Sequence, residues 1–369
     1  MRANKEKELR ILKRKDLFTL MSRFLEDREV IAPIKGHGGE VIFYPIETIE
    51  DVAWDWTYVN TVLPPKRFFL PQTEELFHYK KDTHGYDLTP IYNDKVRMIF
   101  GIRPCDVNAL LFLDKFFGGG PIGWRAPVAE PGILQDRYYA TRRANTFIIA
   151  FGCHQPGENC FCICCDSGPF LKEGFDLQLT QLGGDEYIVE LGSARGLKIF
   201  YGHEDLFRSA TNAEEKRLAE IKDKATQQFG NTRAYISKAI RKITLNQVPD
   251  ELWENLGDRC HDCGGCSYVC PTCCCYNIVD VPINKSEGSR IRTWDSCAFA
   301  GFTKLAGGDN PRSEKKDRLK RRFFHKLSYH YIEKNGRHGC VGCGRCITTC
   351  FANISMPDIA DKIRKGITS

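Results

Sequence analysis

Cys260-His-Asp-Cys263-Gly-Gly-Cys266-Ser-Tyr-Val-Cys270-Pro271 and Cys340-Val-Gly-Cys343-Gly-Arg-Cys346-Ile-Thr-Thr-Cys350-Phe351 carry one spacing twice. Three thiols set two residues apart wrap three corners of one cube of iron and sulfide, and the fourth, on an outgoing segment, points to the neighbouring cube. The spacing therefore predicts one [4Fe–4S] centre on Cys260, Cys263, Cys266 and Cys350, and a second on Cys340, Cys343, Cys346 and Cys270. Gly264, Gly265, Gly342 and Gly344 let the backbone bend closely around such a group. Zinc is the competing reading. A tetrahedral zinc site takes two Cys pairs across a longer loop, and four cysteines in eleven residues overcrowd it.

Working outward, 69 residues separate Cys270 from Cys340, more than a small β-rich dicluster hairpin needs. They include Lys315-Lys-Asp-Arg-Leu-Lys-Arg-Arg322, which reads as a charged helix, so a helical dicluster ferredoxin domain is expected over residues 249–369. Upstream, residues 1–248 read as an α/β domain. Its first 25 residues look helical, with Leu9, Leu12, Leu17, Leu20 and Phe24 at mostly helical intervals. Val30–Ile34 and Val41–Ile46 read as a hairpin, as do the alternating residues around 175–179 and 187–189. Residues 213–229 and 232–244 read as charged helices bridging the two halves.

The core of that domain is a predicted βαβ unit. Val96-Arg-Met-Ile-Phe-Gly101 is a strand, Asp106 caps a helix, a second helix covers about 134–143, and Thr146–Phe151 is the next strand. Parallel neighbours leave the sheet at one edge, which would bring Cys105 and Cys153 close together where such sheets place ligands. Cys153-x6-Cys160-x-Cys162 adds two more thiols, so Cys105, Cys153, Cys160 and Cys162 form a candidate third cluster, expected on the side opposite the dicluster module. Cys273, Cys275 and Cys297 are candidates for additional metal ligation without an identifiable fourth partner. Cys164 and Cys165 read as packing residues, Cys274 sits within the triple cysteine without an assigned role, and His154 and His261 carry none either.

Composition limits the function classes. The chain has 369 residues, 42% hydrophobic and 27% charged, which excludes wholesale disorder. Its 18 cysteines include twelve between Cys260 and Cys350, clustering that points to metal rather than a disulfide framework. The N-terminal stretch lacks the apolar core of an export signal, and no apolar run is long enough to span a membrane, so cytoplasm is the expected address. A net charge of +6 is mild, and a nucleic-acid partner does not follow from it. Gly118-Gly-Gly-Pro-Ile-Gly123 satisfies a dinucleotide pattern formally, but it follows a helix and Pro121 removes a donor.

Phe100-Gly-Ile-Arg-Pro-Cys-Asp106, Glu158-Asn-Cys-Phe-Cys162, Cys270-Pro-Thr-Cys-Cys-Cys-Tyr276, Trp294-Asp-Ser-Cys297 and Cys340-Val-Gly-Cys-Gly-Arg-Cys346 resemble the family of cytoplasmic sulfhydrogenase β subunits and anaerobic sulfite reductase A subunits. Pro64-Pro-Lys-Arg-Phe-Phe69 adds a match near the N-terminus. The resemblance implies a non-catalytic electron-transfer subunit of an anaerobic oxidoreductase complex. Such a subunit sits between a flavin subunit handling NAD(P)H and a catalytic partner of the hydrogenase or sulfite-reductase type. It also supports Cys105, Cys153, Cys160 and Cys162 as ligands. Arg103-Pro104, Cys274 and Phe351 depart from the family pattern. Two other classes predict different behaviour. A reductase whose clusters feed its own flavin (FAD) would release flavin in acid, although no flavin motif is visible. A nucleic-acid-binding iron–sulfur protein would bind with steep salt dependence.

Overall fold

All six residues of the strand Arg97–Ile102 are buried. Met98 and Phe100 pack on one side, while Ile99 and Ile102 pack on the other. A strand apolar on both faces must be covered by helices on both sides, the arrangement of a parallel sheet. The computed structural model, which describes residues 9–54, 58–118, 135–229 and 236–368, has that architecture.

The chain opens with β1 (Leu9–Lys13), α1 (Arg14–Asp27) and the hairpin β2 (Glu29–Lys35) and β3 (Val41–Ile46). Next come β4 (Thr73–Lys81), β5 (Tyr86–Pro90), β6 (Arg97–Ile102), α2 (Pro104–Phe117), α3 (Arg137–Ala144) and β7 (Thr146–Phe151). The hairpin β8 (Leu177–Gly183) and β9 (Glu186–Leu191) leads to α4 (Ala194–Gly202), β10 (Phe207–Ser209) and α5 (Asn212–Gln227). The remainder holds α6 (Ile236–Thr244), α7 (Asp250–Arg259), α8 (Gly265–Tyr268), β11 (Tyr276–Asn284) and β12 (Glu287–Trp294). It ends with α9 (Lys315–Leu327), α10 (Tyr329–Asn335), α11 (Arg345–Thr348) and α12 (Met356–Lys365).

Eight strands form one mixed sheet in the order β10-β1-β9-β8-β7-β6-β2-β3. Its centre, β2-β6-β7-β8, is parallel. Leu17, Leu20, Met21 and Phe24 of α1 cover one face, and Val107, Leu110, Leu113 and Phe117 of α2 cover the other. A separate core joins α6, α7, α9 and α12 around Trp253, Phe323 and Leu327. Among the described residues no helix is long and apolar enough to cross a membrane.

Three expectations need correction. Residues 9–13 are a strand, because β9 and β10 both pair with it and the ladder outweighs the helical spacing of Leu9 and Leu12. The cap of α2 is Arg103 with Pro104 in the first turn, and Asp106 lies inside the helix with its carboxylate engaged elsewhere. The insert between the cysteine motifs is not wholly helical. Its β11–β12 hairpin joins β4 and β5 in a four-stranded sheet ordered β11-β12-β4-β5. That sheet spans the boundary expected near residue 248. Of the glycine run 118–123, Gly118 caps α2 in a left-handed conformation, and the rest lies outside the described residues.

Candidate metal centres

The parallel strands β6 and β7 end side by side, and the first turn of α2 and the loop after β7 carry Cys105 and Cys153 on one edge, as the crossover argument requires. Cys162 lies at the middle of this group, within electrostatic reach of Cys105, Cys153 and Cys160. Burial pushes all four thiols above the ordinary cysteine value. Asn60 spans two of them: its amide nitrogen donates to the Cys160 sulfur at 3.7 Å, and its oxygen accepts from the Cys105 thiol at 3.7 Å.

This group does not lie opposite the dicluster motifs. It touches one of them. Cys105 and Cys162 share a buried cluster with Cys343. The Phe161 N–H donates to the Gly342 carbonyl at 2.8 Å, Ser167 Oγ to the Val341 carbonyl at 2.6 Å, and Asn60 Nδ2 to the Cys343 carbonyl at 2.7 Å. Arg345, inside the second motif, crosses to Asp106 through two bonds of 2.6 and 2.8 Å, and both groups are buried. Opposite charges at that separation offset their shared desolvation. The loop holding Cys160 and Cys162 is therefore locked to the second motif.

The two motifs themselves converge as their spacing predicts. Cys260, Cys263, Cys266 and Cys350 line a single cavity, with His261 at its wall. Cys270 lies within electrostatic reach of Cys340, Cys343 and Cys346, although 69 residues of chain intervene between it and Cys340. Gly264, Gly342 and Gly344 have φ of 70°, 61° and 79°, in the left-handed region, and Gly264 and Gly344 start the short motif helices α8 and α11. Among the described residues no three His, Cys, Asp or Glu side chains close on a point that would hold a single metal ion.

A fourth set lies against the second. Cys273, Cys274, Cys275 and Cys297 line one cavity, and Cys273 hydrogen-bonds to Cys270. Cys275 and Cys297 hydrogen-bond to each other. Cys274 belongs to this wall. Cys165, read as packing, is buried among apolar side chains, and its thiol donates to the Cys340 sulfur. His154 lines a different cavity beside Cys153.

A family model described as a 4Fe-4S dicluster domain matches residues 259–354. Sulfhydrogenase 2 subunit beta of Pyrococcus furiosus is 30% identical over 351 residues, covering 94% of this chain and 95% of the relative. The chain belongs to the sulfhydrogenase β-subunit family. No solved structure matches it.

Does this member of the sulfhydrogenase β-subunit family fit iron–sulfur clusters? Its buried charges give the answer. Helix α9 carries Arg318, Arg322 and Lys326 at successive fourth positions, and all three are buried. Arg318 pairs with Asp262 at 2.8 Å. Among the described residues Arg322 and Lys326 have no carboxylate partner, nor does Lys66, which is 3% exposed. Lys66 Nζ donates to the Cys273 carbonyl at 2.9 Å, and Lys326 Nζ to Thr272 Oγ1 at 2.8 Å. Burial opposes each charge. The sulfurs of Cys266, Cys346, Cys273 and Cys270 nonetheless hold the Arg322 pKa above its usual value, while burial draws Lys66 below its own. Buried cations without a carboxylate, as Arg322 and Lys326 are, cost several kcal/mol each unless an anion sits beside them. Thiolate-ligated clusters are anionic, so the donor set and its counter-charge fit.

Sequence reasoning missed Asn60, Lys66, Arg322, Lys326 and Arg345, and gave Cys274 no role. The run 315–322 was legible as a helix. Its inward stripe was signalled by the i, i+4, i+8 spacing of Arg318, Arg322 and Lys326, which puts them on one face.

Proposed function

We propose that this chain is a cytoplasmic electron-relay subunit, in which Cys260, Cys263, Cys266 and Cys350 hold one [4Fe–4S] cluster. Cys340, Cys343, Cys346 and Cys270 would hold a second, and Cys105, Cys153, Cys160 and Cys162 a third. A bound cluster of this kind accepts and releases one electron with little change in geometry. The protein supplies the thiolates, the cations that balance their charge, and the Asn60 N–H directed at a sulfur. One observation carries the reading: the second quartet sits between the others. Cys343 abuts Cys105 and Cys162, and Arg322 lies within reach of both Cys346 and Cys266. The partners in this proposal are a flavin subunit handling NAD(P)H and a catalytic subunit of the hydrogenase type, as the family relationship suggests.

Anaerobic purification followed by iron, sulfide and zinc analysis tests it. Cys105→Ala is expected to remove one cluster signal from the paramagnetic-resonance spectrum and leave the two motif clusters. Colourless protein containing zinc would overturn the proposal.

A second reading has a specific observation behind it. At the carboxyl edge beside Cys153, Trp54, Tyr58 and Tyr187 line a cavity of about 400 Å³ together with Arg14 and Arg103. That size and lining suit a planar anionic cofactor such as a flavin. Stoichiometric flavin released by acid would place two-electron chemistry on this subunit, and none would leave the relay alone.

A further inference from the structure

The cavity lined by Cys273, Cys274, Cys275 and Cys297 has a volume of about 280 Å³. An engineered void of about 150 Å³ already admits benzene, so one metal ion would leave most of this space empty. The group that fits is larger than an ion and has four thiols to meet it.

Its charge is also specified. Arg322 and Lys326 both line this cavity, and Lys66 donates to the carbonyl of Cys273, one of its lining residues. Among the described residues none of the three has a carboxylate partner. The rest of the wall is largely aromatic, with Phe112, Phe116, Tyr276, Phe302 and Tyr331 beside Thr272 and His325. Arg322 also lines the cavity of the first quartet, and a single cation cannot balance several anionic clusters; Lys326 and Lys66 add charge where the fourth set of thiols lies.

Resting on the relay reading above, we propose that Cys273, Cys274, Cys275 and Cys297 ligate a fourth iron–sulfur cube, seated against Arg322 and Lys326. Cys274 completes the quartet that Cys273, Cys275 and Cys297 leave one ligand short. Cys273 hydrogen-bonds to Cys270, so the site adjoins the second quartet. The step it performs is one-electron transfer to and from that quartet, with no bond made or broken.

Iron and sulfide counting on the full-length chain, purified without oxygen, tests this directly. About sixteen irons per chain are expected, against about twelve for three clusters. Cys274→Ala and Cys297→Ala should each lose about four irons and one spectroscopic signal while the remaining signals persist. A wild-type count near twelve, with the three other clusters visible, overturns the fourth site and leaves the relay standing. So does a Cys274→Ala protein that keeps its full iron. Stoichiometric zinc lost in both variants overturns the cluster assignment for this cavity. A count near zero overturns the relay reading itself. The wild-type count decides without any variant, so a misfolded substitution cannot shelter the proposal.

Discussion

Gly342 shows how tightly single residues hold the centres together. Its φ is 61°, and a Cβ there would lie 2.6 Å from the Phe161 carbonyl and from the Cys162 nitrogen. Gly366 has a similar φ of 77° with nothing within 4 Å. Gly366→Ala is therefore expected to cost only the left-handed penalty, about 1–2 kcal/mol, with full iron retained. Gly342→Ala should strip iron from both the second and third quartets, because it separates two loops that share a backbone bond. Iron analysis of the two variants side by side checks this, and equal retention would count against the interlocked geometry. At this scale the sequence was legible where ligands are local. Three cysteines in seven residues announce themselves. Asn60 and Lys66 do not, since they reach the sulfurs from elements far away in the chain.

Among elements, the parallel strands were readable because burial on both faces leaves an unbroken apolar run in β6 and β7. β1 was not, since its residues pair at a sheet position that only the whole fold creates. Nor was β11, where every residue is exposed and no one-sided pattern marks a strand. The sheet it joins is fastened by buried charge. Glu74 on β4 pairs with Arg142 of α3 and with Arg292 of β12 at 2.5 Å, and Arg292 also pairs with Asp136 at 2.5 Å. Two carboxylates balance two guanidinium groups. Glu74→Gln should leave one buried cation unmatched and destabilise the protein by about 3–5 kcal/mol. Glu75→Gln, on the exposed side of the same strand, should change stability by less than about 1 kcal/mol. Denaturant midpoints of the iron-loaded proteins compare the two. The basic helix α9 turns three of its cations, Arg318, Arg322 and Lys326, inward, and Lys316 and Lys320 on its outer side pair with Glu254 and Asp250.

On the scale of the molecule, the second quartet is a junction. The third group meets it at Cys343, the fourth at Cys270, and Arg322 joins it to the first. Clusters and fold then support one another, because stripping the iron leaves Arg322, Lys326 and Lys66 buried without counter-charge. After chelation, hydrogen exchange should accelerate in α9 and around 340–350, while β7 and β8 stay protected. Uniform protection across the chain would show that the cations find other partners.

The strand pairing between β4 and β12 has a consequence for how such a protein is made. Until Trp294 has left the ribosome, β4 has no neighbour on that side, and until Gly342 has followed, the Cys160–Cys162 loop has nothing to lean on. The thiols nearest the N-terminus thus wait, reduced and unshielded, through most of translation. Metal delivery to the Cys105, Cys153, Cys160 and Cys162 group is then expected to follow synthesis of residues 341–343, and a fragment that ends before them is expected to hold no iron there.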